Sequence, residues 1–200
     1  MVPGGLILAG GRGERMGGQD KGFLTWNGEA FVAYIARCLE PVTASLAISA
    51  NAHRQAYERW GDRVLPDRAY PQQGPLAGLY EGLEWAQSLS LPGVMVATCD
   101  TPALPAVWAV QMAETARANP GVPCISETPE SRHPLHGYYP ISVLPTLREC
   151  LISGENRAWR FAEQVGAKWL DCGAMADGFM NVNTAADQRE LAGPGSVAGD

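Results

Sequence analysis

The beginning of the chain holds the residues best suited to bind a polyphosphate. A short apolar run, residues 6–9, leads into residues 10–22, which contain six glycines. Glycine leaves backbone amides open to a ligand and permits conformations that other residues avoid. Arg12, Arg15 and Lys21 lie in the same segment. Because phosphate oxygens bind to backbone amides and to nearby cations, this segment predicts a nucleotide triphosphate site.

The spacing of these residues excludes two common phosphate-binding loops. The dinucleotide fingerprint G-x-G-x-x-G fails because Met16 stands where its third glycine belongs. The Walker pattern fails because Gln19 and Asp20 stand where its Lys and Ser/Thr belong. A glycine-rich turn that only connects a strand to a helix is the structural alternative, and the density of glycines and cations argues against it.

The composition predicts one globular domain with a small anionic partner. Of the 200 residues, 46% are hydrophobic and 18% are charged, which suits a single domain over residues 1–192. Residues 193–200 are expected to form a disordered tail. The net charge of −6 argues against nucleic acid and membrane surfaces as partners.

Cysteine usage and hydropathy indicate the compartment. The five cysteines are scattered and form no C-x-x-C pair, which excludes the usual zinc and redox motifs and indicates reduced thiols. No signal-peptide pattern and no apolar run long enough to span a membrane is present in the sequence. We therefore expect a cytoplasmic protein.

Apolar runs alternate with helical periodicity along the chain. This pattern predicts a three-layer α/β/α sandwich with a Rossmann-like, mostly parallel sheet. The run at 93–100 does not alternate, which is typical of a central strand covered on both faces. Residues 127–139 are expected to form an irregular excursion that ends in a strand at 137–139. The other strands are predicted at 6–9, 23–26, 45–50, 63–67, 123–125 and 168–170, and helices at 31–39, 53–60, 75–86, 105–116, 143–151, 157–165 and 185–191.

Polar residues follow several of these strands at their carboxyl ends, where open parallel sheets bind ligands. Asn51 fits a ligand contact and a helix cap equally well, and Asp67 fits either a contact to a base or ribose or a turn. Asp100 is the candidate Mg²⁺ ligand, because a triphosphate brings a metal held by hard oxygen atoms. Gly74 and Gly78 flank the start of a helix, where a missing side chain leaves room for a base or ribose.

Motifs along nearly the whole chain resemble, in order, those of the molybdenum cofactor guanylyltransferases, the MobA family of nucleotidyltransferases. The first is L-A-G-G-x-G-x-R-M-G-G-x-D-K-G at residues 8–22. It is followed by G-P-L-A-G at 74–78, by R-H-P at 132–134, which resembles the family's segment lining the acceptor site, and by F-x-N-V-N-T at 179–184. The family's usual N-A-N triplet is here Ser49-Ala50-Asn51, so its asparagine contact could fall on either Ser49 or Asn51.

The resemblance implies a nucleotide-diphospho-sugar transferase type of fold and the transfer of GMP from GTP to molybdenum-bearing molybdopterin, with release of pyrophosphate. It assigns Arg15 and Lys21 to the phosphates, Asp100 to Mg²⁺, and Asn181 and Asn183 to the acceptor. Further partners would be other cofactor biosynthesis proteins and molybdoenzyme-specific chaperones. The implied nucleotide contacts are Leu8, Ala9, Gly10, Gly11, Lys21, Asn51, Asp67, Gly74, Gly78 and Asp100.

Three alternatives share these features. A molybdopterin cytidylyltransferase or a sugar-phosphate nucleotidyltransferase would have a similar fold and opening loop. The pair Gly10-Gly11 favours a purine or thymidine nucleotide, because relatives that use the other pyrimidine nucleotides tend to have Ala-Gly there. A module that binds GTP without turnover is disfavoured by the presence of both Lys21 and Asp100.

Overall fold

A computed structural model describes residues 1–10, 20–183 and 187 of the chain. Its strands are β1 (Gly4–Leu8), β2 (Thr25–Trp26), β3 (Glu29–Ala30), β4 (Leu46–Ser49), β5 (Arg63–Leu65), β6 (Gly93–Thr98), β7 (Cys124–Glu127), β8 (Arg132–Pro140) and β9 (Lys168–Asp171). Within this part of the chain, seven strands form one sheet in the order β5-β4-β1-β6-β8-β7-β9, and β2 pairs with β3 in a separate hairpin. Only β8 runs antiparallel to its sheet neighbours, among the strands described. The expected mostly parallel sheet is confirmed.

Helices cover both faces of this sheet. They are α1 (Phe31–Leu39), α2 (Arg54–Tyr57), α3 (Pro75–Ser88), α4 (Ala106–Ala118), α5 (Leu144–Ser153) and α6 (Ala158–Gln164). Side chains of α1 and α4 form one buried cluster with the sheet, and side chains of α3, α5 and α6 form another. The three-layer α/β/α sandwich is therefore confirmed. None of the described helices has the length and apolar character needed to cross a membrane.

The central strands are buried on both faces, which explains their continuous apolar sequence. In β1, Ile7 packs with α1 and α4, while Leu6 and Leu8 pack on the opposite side with α3. Ile7 and Leu6 are completely buried, and each such side chain stabilises the fold by roughly 1.5–3 kcal/mol. This packing fixes the carboxyl ends of the strands that carry the candidate site.

The prediction of an irregular segment at 127–139 that ends in a strand was only partly correct, because the strand expected at 137–139 is present but begins at residue 132. Residues 132–140 form β8, which pairs with β6 on one side and with β7 on the other. The pairing with β7 jumps from Ile125↔Gly137 to Ser126↔His133, so residues 134–136 bulge out of the ladder. Pro134 has no backbone N–H to donate, and prolines in sheets occur at such bulges. The bulge explains why the sequence lacks a strand pattern here.

The prediction of a strand at 23–26 was only partly correct. Residues Lys21–Phe23 form a turn of 3₁₀ helix, and the strand is limited to the two residues of β2. The predicted turn at Asn27 and Gly28 lies between β2 and β3. Beyond these two segments, the predicted strands and helices of the described residues are present with ends shifted by a few residues. Of the predicted helix at 185–191, only residue 187 belongs to the described residues, and the predicted tail at 193–200 lies outside them.

The cysteines are structural. All five are free and buried, which confirms the expectation of reduced thiols. Burial raises the pKa of the Cys38 thiol to about 12 and that of Cys124 to about 11. Both groups are therefore neutral at physiological pH and unsuited to nucleophilic chemistry.

Candidate active site

A cleft of about 470 Å³ opens where β1, β4 and β5 end. Its volume is in the range typical of small-molecule sites. Parallel strands place these carboxyl ends at one edge of the sheet, which brings distant residues of the sequence together. The cleft is lined by seven of the residues expected to bind a nucleotide, namely Leu8, Ala9, Gly10, Asn51, Asp67, Gly74 and Gly78.

Asn51 and Asp67 form a pair in this cleft. The amide of Asn51 donates to Asp67 Oδ2 at 2.8 Å, and the backbone N–H of Asp67 donates to Asn51 Oδ1 at 2.9 Å. Asn51 therefore binds Asp67 rather than capping α2, whose N-terminus has no side-chain cap. The other carboxylate oxygen, Asp67 Oδ1, is buried without a hydrogen-bond partner among the described residues. Burial raises the pKa of Asp67, while its bond from Asn51 opposes the rise. The Ser49 side chain, a second neighbour of this carboxylate, opposes the rise in the same way.

Gly74 and Gly78, at the start of α3, each require glycine for a different structural reason. Gly74 has a φ of +72°, and a Cβ there would meet no atom within 4 Å, so its backbone conformation is what requires glycine. A Cβ at Gly78 would lie 2.4 Å from Ser49 Oγ. Gly78 therefore lets α3 approach β4 closely, which is a packing role in addition to its place in the cleft.

Lys21, Asp100 and Asn183 meet beyond the end of β6. The Lys21 ammonium lies 3.3 Å from Asp100 Oδ2 and also donates a hydrogen bond to Asn183 Oδ1. The backbone N–H of Val182 donates to the carbonyl of Asp100 at 2.8 Å, and the Val182 side chain is buried beside Leu24. The side chain of Lys21 is 25% exposed to solvent, and that of Asp100 is 20% exposed. They are therefore anchored by the fold while remaining accessible to a ligand.

The donor set at this point fits a divalent metal that arrives with a nucleotide. Asp100 and Asn183 offer hard oxygen atoms to the same ammonium group. Over residues 1–10, 20–183 and 187, no group of three His, Cys, Asp or Glu side chains could hold a metal ion. Mg²⁺ is commonly bound by one or two carboxylates together with substrate phosphates and water. One carboxylate near a phosphate-binding segment is consistent with that arrangement.

A second cleft, of about 630 Å³, is lined by residues from several separate segments of the chain. Its lining includes Trp26, Thr128 and His133. The His133 ring packs on Phe179 with centroids 4.6 Å apart, and its Nε2 lies 3.2 Å from Thr128 Oγ1. Ala103 and Met180 also line the cleft, three residues from Asp100 and Asn183 in the sequence. Lys21, Asp100 and Asn183 themselves are not part of the lining of either cleft.

Two residues associated with the acceptor by sequence lie elsewhere. Arg132 is not part of the lining of the second cleft, because its Nε donates to Glu127 at 3.0 Å and its guanidinium covers the ring of Trp169. Asn181 is exposed and lines neither cleft, so of the two asparagines only Asn183 is brought to Lys21. Gly11 and Arg15 lie outside the described residues.

Sequence reasoning missed Asp20 and Trp26. Asp20 lines the first cleft and Trp26 lines the second. Asp20 stands in the opening motif, and its position beside Lys21 was the available signal. Trp26 has the pattern of an ordinary strand residue, so no feature of the sequence distinguished it from the core.

The turn that carries Asp100 rests on a buried histidine. His136 is 4% exposed, and its Nε2 lies 2.9 Å from Thr101 Oγ1 and 3.3 Å from Thr98 Oγ1. Thr101 Oγ1 also donates to the carbonyl of Thr98 at 3.1 Å. Burial lowers the pKa of His136 to about 3, with a smaller contribution from His133 in the same direction, while Asp100 opposes the shift. His136 therefore remains neutral at physiological pH.

We expect His136 to make the protein sensitive to acid. Its folded-state pKa is below the unfolded value of 6.5, so the unfolded chain binds the extra proton. The contribution to stability is complete above pH 6.5 and decreases as pH falls from about 6.5 toward 3, by up to about 1.4 kcal/mol per pH unit. Urea unfolding of the wild type and His136→Asn between pH 7 and pH 4 should show a smaller slope in the variant. The exposed His53 supplies the control His53→Asn, which should keep the wild-type slope; equal slopes in all three proteins would contradict the assignment.

The fold and the cleft at its strand ends define the class of the protein as a three-layer α/β protein, a class that binds ligands at the carboxyl ends of its parallel strands. Molybdopterin-guanine dinucleotide biosynthesis protein A from Archaeoglobus fulgidus has the same fold, with a TM-score of 0.73 at 18% identity, over 94% of this chain and 95% of that one. Residues 5–168 match the family model of the MobA-like NTP transferase domain. The chain belongs to that family.

Relatives at higher identity cover most of the chain. The molybdenum cofactor guanylyltransferase of Pseudomonas fluorescens (strain Pf0-1) is 35% identical over 179 residues, which are 90% of this chain and 88% of that protein. The enzyme of the same name from Yersinia pestis (strain Pestoides F) is 34% identical over 183 residues, or 92% of this chain and 91% of that protein. The family resemblance inferred from the sequence motifs is thereby confirmed.

Proposed function

We propose that this protein transfers GMP from GTP to molybdenum-bearing molybdopterin and releases pyrophosphate. The observation that carries the proposal is the meeting of Lys21, Asp100 and Asn183, together with two clefts whose linings include residues close to them in the sequence. Asp20 lines the first cleft and directly precedes Lys21, while Met180 lines the second and lies close to Asn183 in the sequence. A nucleotide in the first cleft and an acceptor in the second would thus meet at a cation and a carboxylate. The names of the relatives support GTP and molybdopterin as the two substrates.

The reaction requires charge neutralisation and alignment rather than a nucleophilic side chain. An oxygen of the acceptor's terminal phosphate forms a bond to the α-phosphorus of GTP, and the bond from that phosphorus to the bridging oxygen of pyrophosphate breaks. Lys21 would move from Asp100 to the phosphate oxygens, joined by Arg15 from the glycine-rich segment. Asn183 would orient the acceptor phosphate, and we propose the same role for Asn181.

Asp100 is the residue that would hold Mg²⁺ in this reaction. When bound, Mg²⁺ supplies positive charge that stabilises the developing negative charge on the phosphate oxygens. In the first cleft, the unpartnered Oδ1 of Asp67 would accept a hydrogen bond from the base or the ribose. Backbone groups of residues 8–11 would lie against the nucleotide.

A nucleotide panel tests this proposal. GTP, CTP, UTP and ATP are compared by calorimetry with Mg²⁺, and pyrophosphate release is assayed with purified molybdenum-loaded molybdopterin. We expect GTP to bind and to release pyrophosphate only when the acceptor is present. Turnover with CTP instead would indicate a cytidylyltransferase, and turnover with a sugar phosphate as acceptor would indicate a sugar-phosphate nucleotidyltransferase. Binding of GTP without turnover would indicate a non-catalytic module.

We further propose that the second cleft binds the flat pterin ring of the acceptor. Trp26 and His133 line this cleft, and the indole N–H of Trp26 is buried without a partner among the residues described. A planar heterocycle can stack on rings of this kind. The cytoplasmic location and the contacts with cofactor biosynthesis proteins and molybdoenzyme-specific chaperones remain predictions.

Trp26→Leu is expected to raise the KM for molybdopterin about tenfold, because the change removes a stacking surface. The KM for GTP should stay within about twofold of the wild type. Steady-state kinetics with each substrate varied in turn provide the measurement. The control is Trp159→Leu, since Trp159 is an exposed residue of α6 that does not line the cleft. An unchanged KM for molybdopterin in Trp26→Leu would exclude the stacking role.

A further inference from the structure

Helix α2 consists of four residues and has a single buried side chain, Tyr57. The Tyr57 ring is completely buried, and its hydroxyl donates a hydrogen bond to Asp20 Oδ1. The same oxygen accepts the backbone N–H of Gly22 at 3.1 Å. Asp20 Oδ1 therefore links the backbone on both sides of Lys21, at Asp20 and at Gly22, to helix α2.

The Tyr57 ring also supports this turn by packing. It stacks on Phe23 with ring centroids 4.5 Å apart. A Cβ at Gly22 would lie 2.2 Å from the Tyr57 hydroxyl oxygen. Glycine at this position of the D-K-G sequence is therefore required by the close approach of the tyrosine, in addition to any contact with phosphate.

The opposite side of the same turn carries the chemistry. From it, the Lys21 side chain reaches Asp100 and Asn183, which are 79 and 162 positions away in the sequence. Burial raises the pKa of the Tyr57 hydroxyl, and its bond to Asp20 acts in the same direction, so the group is a donor at neutral pH. If the hydroxyl is removed, Asp20 keeps the Gly22 N–H but loses its attachment to α2. The backbone that carries Lys21 then has more conformations available.

We propose that Tyr57 is a positioning residue for Lys21 and acts on it through Asp20. This inference rests on the proposed function, in which Lys21 binds the phosphates of GTP. A lysine aligned in advance stabilises transition-state charge without reorganisation, and this advantage is reduced when the turn moves. The effect should therefore fall on kcat more than on the KM for GTP.

Tyr57→Phe isolates the hydroxyl, because it keeps the ring that packs on Phe23. We expect kcat for GMP transfer to fall about tenfold, which is typical for loss of a hydrogen bond to a charged group, with the KM for GTP within about twofold of the wild type. The matched control is Tyr138→Phe. The Tyr138 hydroxyl is likewise buried and bonds the carbonyls of Pro92 and Pro120, outside both clefts. This control should keep the wild-type kcat.

A double-mutant cycle separates positioning from a general loss of structure. Tyr57→Phe is introduced into the wild type and into Lys21→Ala, and single-turnover transfer from radiolabelled GTP is measured for all four proteins. If Tyr57 acts through Lys21, the tenfold loss disappears in the Lys21→Ala background. An equal loss in both backgrounds, or no loss in the wild-type background, would overturn the inference.

If Tyr57→Phe folds poorly, a second variant tests the same contact. Turnover by the wild type tests the proposed function separately. Asp20→Ala removes the acceptor from the partly exposed end of the same contact, and its loss of kcat should also vanish in the Lys21→Ala background. Wild-type turnover with GTP and molybdopterin reports on the proposed function, whereas the ratio between the two backgrounds reports on Tyr57. If the wild type used another nucleotide or acceptor, the same ratios measured in that reaction would decide the inference.

Discussion

Lys21→Ala is expected to lower the rate of guanylyl transfer about 100- to 1,000-fold at saturating GTP, the usual cost of removing one preorganised charge contact. The ammonium group is held 3.3 Å from Asp100 Oδ2 and is bonded to Asn183. Two polyanions must meet there in a protein of net charge −6. Without this cation, repulsion between the acceptor phosphate and GTP would oppose the in-line approach.

Lys168→Ala is the matched control for this prediction. The chain has two lysines, and Lys168 is exposed on β9, an edge strand at the other end of the sheet. Pyrophosphate release should be unchanged in the control, and thermal unfolding should show that both variants are folded. Lys21→Arg should recover only part of the activity, because a planar guanidinium does not occupy the position of a compact ammonium. Near wild-type transfer by Lys21→Ala at saturating GTP would make the proposed mechanism wrong.

The layers of the fold could be predicted because their signals are local. Residues 93–98 form a continuous apolar run, and Ile35 and Leu39 repeat at helical spacing, so each pattern points to one element. Strand β8 could not be predicted in the same way. Its pairing depends on a bulge at 134–136 and on two partner strands that are distant in sequence. Only the assembled sheet makes such a segment regular.

The candidate site was predictable where it depends on strand ends. Asn51 and Asp67 line one cleft because parallel strands end at one edge of the sheet, a rule that needs no knowledge of side-chain contacts. The support of Lys21 by Tyr57 was not predictable, since a tyrosine in a short amphipathic segment has the pattern of a core residue. Asn181 and Asn183 are two positions apart, so in an extended segment both side chains would lie on the same side. Of the two, only Asn183 bonds to Lys21. Between them, the backbone N–H of Val182 donates a hydrogen bond to the carbonyl of Asp100, which holds this segment next to Asp100.

Asp100→Asn is expected to reduce transfer at least about 100-fold, because an amide of the same shape is a poor ligand for Mg²⁺. Asp100 is the carboxylate paired with Lys21, and its side chain is accessible, so the substitution should leave folding intact. We expect the Mg²⁺ activation curve to move to higher concentration, together with the fall in kcat. The control is Asp171→Asn, an exposed residue of β9 whose carboxylate accepts only a local bond from the N–H of Gly173 among the described contacts.

Binding of GTP without Mg²⁺ separates the two roles of Asp100. In the free protein, the Asp100 carboxylate pairs with Lys21. When GTP binds without a metal, the same carboxylate repels the phosphates, so Asp100→Asn frees the ammonium group and removes a like charge. The affinity for metal-free GTP should therefore stay the same or increase in the variant, while turnover collapses. A ligand that binds more tightly to a less active enzyme indicates that the carboxylate stabilises the transition state rather than the bound nucleotide. Weaker GTP binding with unchanged turnover would instead assign Asp100 to nucleotide binding alone.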